Sequence, residues 1–166
     1  MRMIKLVSFL LGVAVSANVL SIEVGESVPS VSIKALSNIE SKEIDLSSFE
    51  GKVVYIDFWA SWCGPCKKSF PELDKLYIKH QDNGFELIAV NLDELVSDAN
   101  NFLKNYPVSF PIGTDPDGIS AEKFSIKGMP SGYLLDKKGV VRHIVVGFSD
   151  GEGAHLDQLI SQLVAE

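Results

Sequence analysis

The two cysteines of this chain, Cys63 and Cys66, lie between a segment with a strand pattern and a segment with a helix pattern. Before them, residues 53–59 form an apolar run with a single charge, Asp57, and such a run predicts a strand buried on both faces. After them, apolar residues recur at helical spacing as far as about His80. A strand, a sharp turn and a helix in this order place both thiols near the helix start and restrict the chain to α/β folds.

The rest of the chain continues this alternation of strand and helix patterns. Alternating apolar and polar residues at 31–33 and 42–46 predict an N-terminal hairpin that packs ahead of the main sheet. Further strands are predicted at 85–92, 109–113, 133–135 and 140–146, and further helices from Ser97, at 119–124 and at 156–163. The order after the hairpin is then β-α-β-α-β-α-β-β-α, which predicts a layered domain with a mixed central sheet.

The first residues have the pattern of a secretion signal. A short basic start precedes an apolar run at 6–15, and residues 15–17 are small enough for a signal peptidase. We expect residues 1–17 to be a signal peptide cleaved after Ala17, which leaves 18–166 as a single domain in the periplasm. The alternative is an uncleaved membrane anchor, although a spanning helix needs about 20 apolar residues.

The charge of the chain bears on its partners. The formal net charge is −7, which argues against nucleic acid and against an anionic membrane surface as partners, because both attract basic faces. We expect a monomer without a cofactor.

Four interpretations of the cysteine pair compete. A structural disulfide across so short a loop stabilises a domain by only about 2 kcal/mol. A zinc site takes four ligands, and the histidines His80, His143 and His155, which we expect at the surface, lack the spacing to complete one. Two thiolates alone could still hold Cu(I). A peroxidatic cysteine is disfavoured because the pair is close and symmetric.

The fourth interpretation, a dithiol that cycles with its disulfide, fits the pattern best. A C-x-x-C pair beside a strand and a helix is typical of redox motifs. Helix N–H groups and the helix dipole favour a thiolate at Cys63, whereas Cys66 sits one turn further in. We therefore predict an exposed nucleophile at Cys63, a resolving thiol at Cys66 and no metal site.

Residues 54–66, Val-Tyr-Ile-Asp-Phe-Trp-Ala-Ser-Trp-Cys-Gly-Pro-Cys, resemble the active-site strand and turn of thioredoxins. Pro71 matches the proline inside the following helix of that family, and 128–130 matches its loop with a cis-proline. The signal segment, the hairpin and an insert at 97–119 narrow the resemblance to the exported TlpA/ResA-like branch. The resemblance implies a thioredoxin fold with three α/β/α layers, and a cis bond between Met129 and Pro130.

The resemblance also implies an activity. It suggests a thiol–disulfide oxidoreductase that reduces disulfide-bonded proteins outside the cytoplasm and is itself reduced by a membrane thiol carrier. An oxidant that installs disulfides and a copper-binding chaperone are the alternatives. Substrate contacts are expected from five residues: Trp62, Gly64, Pro65, Met129 and Pro130.

Two positions depart from the family pattern. Members that serve cytochrome c maturation often carry a glutamate inside the C-x-x-C or just after the cis-proline, where this chain has Gly64, Pro65 and Ser131. Gly132 stands where threonine is common, and we expect it to loosen the loop that holds a substrate.

Asp57 is the remaining candidate. As the only charge in its apolar run it should be buried, and burial raises the pKa of a carboxyl group. In thioredoxins the matching aspartate lies behind the second cysteine with a lysine partner, whose place is taken here by Ala89. We expect Asp57 to accept the proton of Cys66; the alternative is a strand acid whose side chain reaches solvent.

Overall fold

Seven strands and four α-helices follow one another in the predicted order along residues 22–38 and 40–166, the part of the chain that the computed structural model describes. The predicted signal peptide lies outside these residues. The strands are β1 Ser32–Ser37, β2 Glu43–Asp45, β3 Val53–Trp59, β4 Phe85–Asn91, β5 Ile112–Thr114, β6 Ser131–Leu135 and β7 Val141–Val146. The helices are α1 Cys66–His80, α2 Val96–Asn105, α3 Ile119–Lys123 and α4 Glu152–Ala165.

All of these strands belong to one mixed sheet in the order β2-β1-β5-β4-β3-β6-β7. The strands β3, β4 and β5 run parallel to one another. Each outer strand is antiparallel to its inner neighbour: β6 to β3, β7 to β6, β1 to β5 and β2 to β1. The N-terminal hairpin does not pack ahead of the sheet, as the sequence suggested, but extends it. The reason is that β1 pairs with β5 and so satisfies a row of backbone groups that would otherwise form an open edge.

The central strand β3 is buried along its whole length, as its apolar run predicts. Side chains alternate between faces along a strand. Tyr55 and Trp59 belong to the core under α1, α2 and α4, whereas Ile56 and Phe58 belong to the core on the other face, which includes Phe124 directly after α3. The molecule therefore has the three-layer thioredoxin arrangement that the resemblance implied.

Several boundaries differ from prediction, and two of the differences have a visible reason. The helix α2 begins at Val96, and no side chain caps it, so Ser97 lies inside its first turn. The strand predicted at 109–113 is displaced to Ile112–Thr114, because Pro111 has no N–H to donate and joins the sheet only through its carbonyl. Within the described residues, no helix is both long and apolar enough to span a membrane.

Candidate active site

The turn between β3 and α1 holds Cys63 and Cys66 in a disulfide. The helix begins at Cys66 rather than at Cys63, with Pro65 as its N-cap. The Cys66 backbone N–H donates to Cys63 Sγ at 3.2 Å. A helix-terminal N–H that points at this sulfur also stabilises the Cys63 thiolate once the disulfide is reduced.

Both cysteines are more buried than the sequence suggested. Cys63 is 3% exposed and Cys66 is fully buried, so the prediction of an exposed Cys63 is wrong for the disulfide state. In this state the Cys63 sulfur is bonded to that of the fully buried Cys66. The surface around the pair comes instead from Trp62, which is 70% exposed, and from the exposed Gly64 and Pro65.

The loop before β6 provides the second wall of the site. The Met129–Pro130 peptide bond is cis, as predicted. The Met129 side chain packs against the same core cluster as both cysteines. The Pro130 carbonyl accepts the Gly147 N–H at 2.8 Å, whereas the Met129 N–H and C=O make no backbone hydrogen bond with the described residues. The loop thus offers a free donor and a free acceptor.

Asp57 lies inside the protein, as predicted. It is 1% exposed, and its Oδ2 has no hydrogen-bond partner among the described residues. Its neighbours in the sheet are Ala89 on β4 and Gly132 on β6, so neither adjacent position of the register supplies a cation. Burial raises the pKa of Asp57 well above its usual range. Because side chains alternate, Asp57 shares the face of β3 that carries α1 and Cys66.

A second buried acid, Asp93, was not singled out from the sequence. Its carboxylate accepts the Ser61 backbone N–H at 2.9 Å, the Ser61 hydroxyl at 3.0 Å and the Asn91 side-chain amide at 2.8 Å. Ser61 precedes Cys63 by two positions, so this network fixes the turn that presents the disulfide. The sequence did contain a signal for this site: Asn91 ends β4, the parallel strand next to β3, and Asp93 follows it, and parallel strands end at one edge of the sheet.

Gly132 does not act as expected. It lies within β6, where a Cβ atom would come within 1.9 Å of the Tyr55 hydroxyl oxygen. The missing side chain therefore makes room for Tyr55 and does not loosen the loop.

These features define a thioredoxin-fold protein with a cysteine pair at the start of α1 and a cis-proline loop beside it. Residues 23–160 match the Redoxin family. The chain belongs to this family.

Comparison with individual relatives shows which members of the family this chain resembles. The chain is 35% identical over 134 residues to the thiol-disulfide oxidoreductase ResA of Bacillus subtilis, covering 81% of this chain and 73% of ResA. It is 34% identical over 125 residues to ResA of Bacillus thuringiensis, covering 75% of this chain and 70% of the relative.

The solved structures agree. A protein assigned as the thiol:disulfide interchange protein DsbE of Chlorobium tepidum matches with a TM-score of 0.81 at 37% identity, over 87% of this chain and 99% of that one. StoA of Bacillus subtilis matches with a TM-score of 0.65 at 27% identity, over 78% and 95%. The chain is thus similar to ResA-like proteins, as its residues suggested.

Proposed function

We propose that this thiol–disulfide oxidoreductase works outside the cytoplasm and reduces disulfides in other proteins. The observation that carries the disulfide-exchange chemistry in this proposal is the Cys66 N–H directed at Cys63 Sγ. It gives the two sulfurs unequal surroundings, which an attacking thiol and a resolving thiol require. The ResA-like relatives, which are named thiol-disulfide oxidoreductases, support it.

The reaction uses two exchanges of sulfur. The Cys63 thiolate attacks one sulfur of the substrate disulfide, and the other substrate sulfur leaves as a thiolate and takes a proton from solvent. Cys66 then loses its proton and attacks Cys63 Sγ. The second substrate thiolate leaves, and the protein is left with the Cys63–Cys66 disulfide that the structure contains.

Asp57 is the base that we assign to the second exchange. A carboxylate with a raised pKa is a stronger base than an ordinary aspartate, and Asp57 lies on the face of β3 that carries Cys66. Its Oδ2 is free to accept a proton because no group in the described part of the chain hydrogen-bonds to it. No cofactor is needed, since electrons enter and leave through the sulfurs.

Substrate contacts are assigned to the rim of the disulfide. Trp62, Gly64 and Pro65 supply the exposed surface beside Cys63. The free N–H and C=O of Met129, held by Pro130, can pair with an extended substrate segment as a further strand would. Repeated reduction of substrates requires a thiol that reduces the Cys63–Cys66 disulfide again, and we assign this role to a membrane thiol carrier. We propose that the chain acts as a monomer.

A pair of cysteine variants tests the assignment. Cys66→Ser should accumulate mixed disulfides with substrates, because Cys63 still attacks but nothing resolves the product. Cys63→Ser is the matched control and should trap nothing. Mixed disulfides in the Cys63→Ser protein instead would contradict the roles. Equilibration with glutathione buffers then measures the potential, and a value as oxidising as about −120 mV would mark an oxidant instead.

Export has its own test. N-terminal sequencing of the mature protein should begin at Asn18. A chain that keeps Met1 and fractionates with membranes would be an anchored protein.

A further inference from the structure

A groove lies beside the disulfide, between the first turn of α1 and the loop that joins β7 to α4. Its volume is about 500 Å³. Lys67 and Lys68 form one wall, and residues of the segment 148–154 form the other. Because Lys67 directly follows Cys66, a substrate whose disulfide reaches Cys63 brings its neighbouring residues next to this groove.

The two lysines stand where the helix itself does not favour them. A helix N-terminus carries partial positive charge, so acids stabilise the first turn and cations do not. The first turn of α1 contains no acid, and Lys67 and Lys68 are both exposed. Neither forms an ion pair with the described part of the chain, whereas Lys52, Lys75 and Lys79 all do. Residues that break a local stability rule without compensation are typical of a functional surface.

Two acids also line the groove, but they do not cancel these cations. Glu72 lies one turn along from Lys68, yet it bonds to Lys75 at 2.7 Å. Asp150 is exposed on the opposite wall, in the loop before α4. The α1 wall beside the disulfide is therefore positive, in a chain whose formal net charge is −7. Such a local patch attracts acidic groups that the rest of the surface repels.

Apolar and small side chains complete the lining. Pro71 comes from α1, and Phe148, which also packs against the core under α1, comes from the loop. On the α4 side, Gly151, Gly153 and Ala154 have short side chains or none, which leaves the groove open. An apolar lining with a positive wall fits an extended polypeptide that carries a hydrophobic side chain next to an acidic one.

We propose that this groove receives an acidic segment beside the disulfide of a substrate protein, and that Lys67 and Lys68 determine this preference. The inference rests on the proposed function, in which Cys63 attacks such a disulfide, and it adds a class of substrate. The sulfur exchanges themselves are unchanged. The lysines act on association, because complementary charges raise the rate at which partners meet, and salt weakens that effect.

Three synthetic peptides test the preference. Each contains one intramolecular disulfide, and they differ only in the two residues next to one cysteine, which are Glu-Glu, Gln-Gln or Lys-Lys. The measurement is the second-order rate constant for their reduction by the reduced protein. At low salt we expect the Glu-Glu peptide to react about tenfold faster than the Lys-Lys peptide, with the Gln-Gln peptide between them. The ratio should shrink toward one at about 1 M salt.

A pair of double variants assigns the preference to the groove. Lys67→Gln/Lys68→Gln should bring the three rate constants to within about twofold of one another. Lys42→Gln/Lys138→Gln is the matched control. It removes the same charge from the β1–β2 and β6–β7 turns, which lie at the other end of the sheet, and should keep the preference. A wild type that does not discriminate, or equal discrimination by the two variants, would overturn the proposal.

An uncharged disulfide, 2-hydroxyethyl disulfide, separates substrate binding from the reactivity of Cys63. Its rate constant should be the same in the wild type and in both double variants. If Lys67→Gln/Lys68→Gln slows this compound and the peptides alike, the lysines act on the Cys63 thiolate and the proposal is wrong.

A further variant tests whether the peptide lies in the groove. Ala154 is exposed and lines the groove, so Ala154→Tyr should obstruct it and slow the peptides while leaving 2-hydroxyethyl disulfide unaffected. Peptide rates equal to those of the wild type would contradict the proposed position. Failure of the proposed function looks different: the reduced protein would then reduce none of the peptides. Reduction of all three at one rate would leave that function standing and remove only the acidic preference.

Discussion

Two aspartates flank the disulfide, and both are removed from solvent, yet their surroundings are opposite. Asp57 lies within β3 at 1% exposure, and its Oδ2 accepts no hydrogen bond from residues 22–38 or 40–166. Asp93 follows β4 at 4% exposure, and both of its oxygens accept hydrogen bonds from Ser61 and Asn91. The comparison teaches that burial alone does not assign a role to an acidic side chain. Because hydrogen-bond donors surround its carboxylate, Asp93 holds the turn in place. Because Asp57 Oδ2 accepts no hydrogen bond from the described residues, it can take a proton.

The largest expected effect is kinetic and belongs to Asp57. Asp57→Asn removes the base but keeps the shape, so turnover on a disulfide-bonded protein such as insulin should fall about 100-fold near neutral pH. The rate should also lose the pH inflection that the wild type shows. Identical pH profiles for the two proteins would remove Asp57 from the mechanism.

The next effect is on stability and belongs to Asp93. Asp93→Ala leaves the half-buried Ser61 N–H and the buried Asn91 amide without this partner, and a buried group left unpaired costs roughly 1–3 kcal/mol. We expect a loss of about 3 kcal/mol in the free energy of unfolding, measured by urea titration. Asp57→Ala is the control, because it breaks no hydrogen bond recorded on Oδ2. Equal losses in both variants would end the distinction.

The smallest expected effect is on the pH dependence of the free energy of unfolding. Because the pKa of Asp57 is raised in the folded state, the native protein holds a proton that the unfolded chain has lost. Stability should therefore fall as the pH rises above about 4, the ordinary aspartate pKa, and level off beyond the raised one, by at most about 1.4 kcal/mol per pH unit. Asp57→Asn should be flatter over that range in urea titrations at several pH values. A steeper fall in the variant would contradict the buried carboxylate.

The parts of this molecule that follow from local pattern were predictable. The strand β3, the order of elements and the cysteine pair were each predicted from patterns within short, continuous stretches of sequence. Asp57 was found because a single charge stands out in an apolar run. The dithiol chemistry followed from the spacing of Cys63 and Cys66.

The parts that depend on distant contacts were not predictable in the same way. His80 was expected at the surface but is 5% exposed, because Asp157 on α4 bonds to its Nε2 at 2.6 Å. Gly132 was expected to be a flexible point, and only the position of Tyr55 explains it. In both cases the partner lies far along the chain, and no periodicity within one element reveals it.

The pairing of β1 with β5 has a consequence for how such a chain can be modified. The strand β5 belongs to the insert, and the N-terminal hairpin reaches the sheet through it. The two additions to the central strands are therefore not separate modules: each occupies the other's free edge. A chimera that removes one of them leaves a strand edge of the other without its partner, so both should be exchanged together.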